Sequence, residues 1–329
     1  MSSASTDDVK KYTSLLLSAS EFASRQKEIE VFYQTSVTVH HFKNKSGQDI
    51  TCAEYNPSTQ KGCLVIFPGR GEIPHKYAEF IYSISSLGLR ILVIFGRGQG
   101  ESERLLKDRQ KCHLVHFKDL REDASFILKK LEVRKFFLLS FSMGALLALD
   151  YIFHEHNKPD KAVLIAPYIW PYFKLPSPLL TAFIWFMGSV PLLKESYTPH
   201  GSEYKKVPFE QNYHSHCIER YEAYHAHYAQ YPQETIGGPT YAFVKAATKT
   251  QLNLLHGNFD FTIPTRVFLC GDDKVVCTKS AKAFFMRHLN DSCPPIISTE
   301  EHVFHDVINE SDNYRTPILS QALAFLLEE

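Results

Sequence analysis

Four short runs of the chain are solidly apolar, and the segments between them are periodic. The runs are "GCLVIF" (62–67), "RILVIF" (90–95), "KFFLLS" (135–140) and "KAVLIA" (161–166). Unbroken apolar runs of this length suit strands covered on both faces. Between them, "KYAEFIYSISSLGLR" (76–90), "HFKDLREDASFILKKLEV" (116–133) and "MGALLALDYIFHEH" (143–156) place apolar residues at helical spacing. The first of these stops at Gly88, a residue suited to ending a helix. Upstream, "VTVHHFKNKSGQDITCAEYN" (37–56) alternates around a "KSGQD" turn and predicts a hairpin. Residues 1–34 read as a polar, helix-forming leader.

Regular alternation of strand and helix predicts a mostly parallel sheet with helices on both faces. The rhythm stops after residue 167. Residues 168–238 are rich in aromatics and proline, and alternation returns from about 239 with "TRVFLCGDD" (strand), "KSAKAFFMRHL" (helix), "PPIIST" (strand) and "TPILSQALAFLLEE" (helix). One α/β domain over 35–167 and 239–329, with a cap inserted at 168–238, accounts for this most simply.

Composition narrows the function classes. Lys+Arg and Asp+Glu both number 36, so no net basic field marks a nucleic-acid binder. Seven cysteines with no C-x-x-C pair point to a reduced compartment and neither a zinc knuckle nor a redox motif. The first twenty residues lack a basic start followed by an apolar core, so no secretory signal is expected. The longest apolar stretch, "PLLTAFIWFMGSVPLL" (178–193), has 16 residues. That is short of the roughly 20 a spanning helix needs, and reads as a buried or interfacial helix. The chain is expected in the cytoplasm, peripheral at most to the inner face of the membrane.

"LLSFSMGALL" (138–147) carries the chemistry. A nucleophile elbow is a tight strand-to-helix turn that needs small residues two before and two after its serine. Ser142 satisfies this with Ser140 and Gly144. Ser140 does not, because Leu138 precedes it. Ser140 is then a spacer whose hydroxyl is incidental. A serine needs a histidine to take its proton and an acid to orient that histidine. In α/β-hydrolases the chain order is Ser, acid, His. Asp272 and Asp273 follow a late strand, and His302 and His305 follow the last one. On the residues alone both choices stay open; Asp273 is favoured because "DKVV" opens the turn into the next helix as the acid of α/β-hydrolases does, and His305 because "DVINE" leads toward the final helix as their histidine loop does. One oxyanion amide would come from Met143 and the other from Arg70 in the "FPGRGE" loop. "GRGQG" (96–100) lacks dinucleotide-loop spacing.

Beyond these residues, "VIFPGRGEIPHKYAEFIYSISSLGLRILVIFGRGQGES" (65–102) resembles the bacterial lysophospholipase branch of the monoacylglycerol-lipase-like α/β-hydrolases. That branch shows a Pro-Gly-Arg loop, a "KYAE" helix and an "RGQGxS" turn, and its elbow reads A-H-S-M-G. The cap segment "HSHCIERYEAYHAHYAQYPQETIGGPTYAFV" (214–244) is similar as well. The resemblance spans about 60–310. It implies an α/β-hydrolase fold, Ser142 as nucleophile, Asp273 as acid, His305 as base, and amides of Arg70 and Met143 in the oxyanion hole. It also implies a lysophospholipid or monoacylglycerol substrate, with no cofactor and no metal. The departures are Phe95, Gly96, Phe141 in place of the elbow's usual His, and a shorter spacing at Gly271.

In the cap, Trp170 and Trp185 sit among Tyr168, Tyr172, Phe173, Phe183 and Phe186. This aromatic set reads either as an acyl-chain lid touching a membrane surface or as packing between cap and core. Arg220 is the candidate phosphate partner for a glycerophospho head group, with a solvated helix face as the other reading. Rival functions are a monoacylglycerol lipase or general carboxylesterase, a proline-iminopeptidase-like peptidase, and a hydrolase-fold binding protein without chemistry.

Overall fold

The structure is a computed structural model that describes residues 5–56, 58–59, 61–172, 178–199 and 201–328. The chain opens with helices α1 (Thr6–Thr13) and α2 (Ala19–Ser36). Each begins at a serine whose hydroxyl accepts an amide while an acid three residues on reaches back, Ser5 with Asp8 and Ser18 with Glu21. Such boxes satisfy two orphan donors at a helix start. The hairpin follows as β1 (Val37–Lys43) and β2 (Asp49–Tyr55), then β3 (Cys63–Phe67), α3 (Ala78–Ile84), β4 (Arg90–Phe95), α4 (Lys118–Lys130), β5 (Phe137–Phe141), α5 (Met143–His154) and β6 (Lys161–Ile165).

Between β6 and the next strand the chain forms α6 (Pro178–Met187), α7 (Ile218–Gln230) and α8 (Tyr241–His256). It then returns to the sheet with β7 (Thr265–Cys270), α9 (Thr278–Met286), β8 (Ile296–Glu300) and α10 (Asp312–Leu327). The sheet order is β1-β2-β4-β3-β5-β6-β7-β8. Pairing is antiparallel for β1–β2 and β2–β4 and parallel from there to β8.

Alternation along the central strands divides the core. Val65, Phe67 and Leu138 point to a layer closed by α4, α5, α8 and α9, where Leu120, Ile127, Leu146, Phe243 and Phe284 pack. Leu64, Ile66 and Leu139 point to the other face, closed by α3 and α10 through Phe80, Ile84, Ile318 and Leu323. The period of two in a strand makes this division, and burial on both faces explains the unbroken apolar runs. Tyr12 of α1 joins the second layer, and Lys11 beside it reaches Glu328 at 2.8 Å. Among the described residues, no helix is long and apolar enough to cross a membrane.

Arg220 corrects a sequence-based expectation. Its side chain is fully buried, so it is not placed to meet a phosphate. Its guanidinium donates to both carboxylate oxygens of Glu79, at 2.9 and 3.2 Å from Nε. It also donates to Asp312 Oδ1 at 2.8 Å, the Glu310 carbonyl at 2.9 Å and the Leu17 carbonyl at 2.9 Å. Arg315 reaches the same Glu79 at 3.1 Å. A planar, five-donor cation suits this position because it can tie α7 to α3, α10 and the leader at once. Burial alone would lower its pKa, yet Glu79 and Asp312 hold it above the usual arginine value.

Candidate active site

Ser142 stands at the end of β5 with φ 52° and ψ −116°, a strained conformation outside the common regions for a side-chain-bearing residue. The turn is crowded. A Cβ on Gly144 would lie 2.1 Å from the Phe67 carbonyl oxygen and 2.5 Å from that of Pro68, so no larger residue fits there. Ser140 is wholly buried and its hydroxyl donates to the Val163 carbonyl at 3.0 Å. That hydroxyl, expected to be incidental, clips β5 to β6. The Ser142 amide donates to the Ile165 carbonyl at 2.9 Å and completes the clip.

His305 Nε2 lies 2.8 Å from Ser142 Oγ, and His305 Nδ1 lies 2.6 Å from Asp273 Oδ2. The other Asp273 oxygen accepts the amides of Val275 at 2.7 Å and Val276 at 2.9 Å. The carboxylate is buried and aimed. The neighbouring pair behaves differently: Asp272 and His302 meet 3.4 Å apart, with side chains 49% and 74% exposed. Two loop crossings hold this arrangement. Gly271 N donates to the Glu300 carbonyl at 2.8 Å, and Asp272 N to the Val303 carbonyl at 3.1 Å. A Cβ on Gly271 would come within 3.0 Å of that same Glu300 oxygen, so glycine permits the close approach.

Met143 opens α5, where backbone amides have no carbonyl a turn earlier to meet. Among the described residues, the amides of Met143 and Arg70 have no hydrogen-bond partner, whereas those beside Arg70 do. Gly69 N donates to Glu72 Oε2 at 2.7 Å and Gly71 N to Gln99 Oε1 at 3.0 Å. The Arg70 side chain points away and donates to the Gly237 carbonyl at 2.9 Å, while Tyr228 OH donates to the Gly71 carbonyl at 2.7 Å.

Sequence reasoning missed the residues that hold this loop. Glu72 Oε2 also accepts the Tyr77 hydroxyl at 2.6 Å, and Glu72 Oε1 meets Lys76 Nζ at 2.7 Å. Lys76 Nζ is in turn 2.8 Å from Asp306 Oδ1, next in the chain to His305. An ionic bridge therefore joins the Pro68–Glu72 loop to the His305 loop. Burial would lower the Lys76 pKa, but Asp306 and Glu72 raise it above its usual value. The only signal in the chain is Glu72 four residues before Lys76, a spacing that is ordinary on exposed helices.

Trp170 and Trp185 come together in an apolar cavity of about 780 Å³, with Leu252, Leu255, Phe284 and Arg287 on its walls. Ser142, Asp273 and His305 are not among its lining residues. The Trp170 carbonyl accepts the Cys277 amide at 2.8 Å, which puts this tryptophan behind the loop that carries Asp273. The Trp185 ring has Lys245 Nζ over it, 5.6 Å from the centroid. Phe173 lies outside the described residues.

Residues 58–312 match the family model described as serine aminopeptidase, S33. The chain is 28% identical over 271 residues to lysophospholipase L2 of Escherichia coli (strain K12), covering 80% of this chain and 79% of that one. It is 26% identical over 275 residues to the probable lysophospholipase L2 of Haemophilus influenzae, covering 82% and 85%. Among solved structures, it resembles a soluble variant of the monoglyceride lipase of Saccharomyces cerevisiae in complex with a substrate analog, at TM-score 0.68 and 14% identity, covering 89% and 95%. The monoacylglycerol lipase of Paleococcus ferrophilus matches at TM-score 0.66 and 14% identity, covering 84% and 98%. At such identities the structural likeness speaks to the fold alone, which is that of an α/β-hydrolase.

Proposed function

The chain belongs to the serine aminopeptidase, S33 family of α/β-hydrolases, and from that membership we propose that it is a serine esterase cleaving the fatty-acyl ester of lysophospholipids through an acyl-enzyme. The observation that carries this reading is the continuous contact from Ser142 through His305 to Asp273, 2.8 and 2.6 Å long. His305 takes the Ser142 proton as Oγ attacks the ester carbonyl. The amides of Arg70 and Met143 receive the negative charge on the carbonyl oxygen, each donor contributing about 3 kcal/mol in comparable hydrolases. His305 then hands the proton to the departing alcohol oxygen, which breaks its bond to the acyl carbon. A water attacks the acyl-enzyme, gives its proton to His305, and releases the fatty acid as the proton returns to Ser142. Asp273, held by the amides of Val275 and Val276, fixes the imidazole orientation throughout.

The lysophospholipid reading is supported by relatives named lysophospholipase L2 and probable lysophospholipase L2, covered along about four-fifths of their length. Contact with the membrane surface is supported by α6, "PLLTAFIWFM", which carries no charge. Leu179 on it is 82% exposed and Phe186 63% exposed, and Leu192 just beyond is 89% exposed. Apolar side chains this open to water are the mark of an interfacial helix.

The test is fatty-acid release from lysophosphatidylethanolamine and from monoacylglycerol by the wild type and Ser142→Ala. Wild type should cleave the lysophospholipid and react covalently with a fluorophosphonate, and the variant should do neither. A variant that kept full activity would end the mechanism. Cleavage of monoacylglycerol alone would replace the lysophospholipid reading with a monoacylglycerol lipase.

A further inference from the structure

One cap side chain stands beside the triad without a role in the chemistry above. His214 lies in the turn ahead of α7. Its backbone is stitched in place: the His214 and Ser215 amides donate to Asn212 Oδ1 at 2.8 and 3.0 Å. Its carbonyl accepts the Asp306 amide at 2.8 Å, and Ser215 Oγ donates to the Asn309 carbonyl at 2.5 Å. The cap at this point is therefore fastened to the loop that carries His305. The His214 ring stacks on Tyr213, with centroids 4.7 Å apart, and stands edge-on to the His305 ring at 6.2 Å. It is half-buried, and among the described residues neither ring nitrogen has a hydrogen-bond partner.

Neither nitrogen is among the fully buried, unpaired polar atoms, so both stay open to a partner that enters beside His305, and an imidazole so placed can pair with it. Its protonation state restricts what that partner is. Burial first, and the adjacent His305 second, push the His214 pKa down to about 3. The ring is neutral in the working range and offers one donor and one acceptor. A phosphate would seek a cation. An alcohol hydroxyl, itself one donor and one acceptor, is the complementary group. Geometry places such a hydroxyl within reach. The leaving oxygen must come within about 3 Å of His305 Nε2 to take its proton. Groups two or three bonds further along the leaving alcohol then fall beside a ring whose centroid is 6.2 Å from that of His305.

We propose that His214 is a specificity-determining residue that hydrogen-bonds the free glycerol hydroxyl neighbouring the scissile ester. This rests on the esterase reading above and adds what the site recognises in the leaving group. The hydroxyl is common to lysophospholipids and monoacylglycerols, so His214 selects for a glycerol ester in both, while the head group is read elsewhere.

The test compares wild type, His214→Ala and His214→Gln on three esters of one acyl chain: lysophosphatidylethanolamine, its analogue lacking the free glycerol hydroxyl, and the p-nitrophenyl ester. Monoacylglycerol, with and without the neighbouring hydroxyl, forms the parallel arm. Wild type should prefer the hydroxyl-bearing substrate by roughly tenfold to a hundredfold in kcat/KM, the range for losing one hydrogen bond to the substrate in the closed site. His214→Ala should lose that preference and keep its p-nitrophenyl rate, and His214→Gln should keep part of it. Equal loss on all three esters would show a structural role and overturn the proposal. So would a wild type indifferent to the hydroxyl, a result that needs no variant to fold. Wild type inert toward the p-nitrophenyl ester and toward fluorophosphonate would instead defeat the esterase reading itself.

Discussion

Replacing Lys76 with methionine probes the bridge between the two loops that carry the site. The lysine side chain is 4% exposed, with Glu72 at 13% and Asp306 at 15%, and its ammonium lies 2.7 and 2.8 Å from their oxygens. Methionine keeps most of the stem's volume and removes the charge. Two carboxylates then face each other across a space with no counter-charge, and breaking a buried ion pair from one side costs about 3–5 kcal/mol. At about 2.1 cal/mol/K per residue, a chain of 329 residues has an unfolding entropy near 0.7 kcal/mol/K, so Tm should fall by about 4–7 °C. Turnover should fall as well, by roughly tenfold or more, because the loop bearing Arg70 and the loop bearing His305 lose their common anchor and small displacements of reacting groups cost rate steeply. The assay is thermal unfolding by circular dichroism, with ester turnover, for wild type, Lys76→Met, and Lys76→Met combined with Glu72→Gln and Asp306→Asn. Neutralising both carboxylates should restore more than half of the lost Tm. An unchanged Tm in the single variant, or a triple variant no more stable than the single, would refute the electrostatic account.

Three further outcomes follow from the same geometry. Gly144→Ala should destroy activity and cost several kcal/mol, since its Cβ would sit 2.1 Å from a backbone oxygen that cannot move aside; a soluble, active alanine variant would show that the elbow is less crowded than described. Arg220→Met should cost about 3–5 kcal/mol by taking one of two guanidinium partners from buried Glu79 and leaving Asp312 with only the Ala19 amide, with KM for lysophosphatidylethanolamine unmoved relative to a p-nitrophenyl ester; a selective rise in that KM at unchanged Tm would return Arg220 to the head group. His214 gives a pH signature. Its folded pKa of about 3 lies below the unfolded value near 6.5, so its contribution to stability is complete above pH 6.5 and is lost as pH falls. At pH 5 the loss is about 2 kcal/mol, and chemical denaturation of wild type against His214→Gln should show that difference narrowing as pH approaches 7.

The parts of this protein legible in its sequence are those governed by contacts between near neighbours. The solid apolar runs mark β3 to β6 because burial on both faces leaves no polar position, and the seven residues 138–144 are enough to favour Ser142 over Ser140 as the proposed nucleophile because the steric rule acts two residues either way. The same rule concerns size alone, which is why the bond from the Ser140 hydroxyl to Val163, 23 positions along, was invisible to it. Arg220 failed for a stronger version of this reason. On an amphipathic helix an arginine looks solvated, and its burial depends on Glu79, Asp312 and Leu17, which stand 141, 92 and 203 positions away. Lys76 and His214 are of that kind as well. Each is an unremarkable residue locally, and each acquires meaning only when the fold brings the His305 loop against it. The divide has a physical basis: sterics and hydrophobic periodicity act along the chain, whereas the pairing of a buried charge or imidazole requires partners that only the completed sheet and cap bring within 3 Å. A site built on this fold will therefore offer its candidate serine to a reader of sequence and hide the residues that position it, so the choice of substrate is best sought where the cap meets the His305 loop.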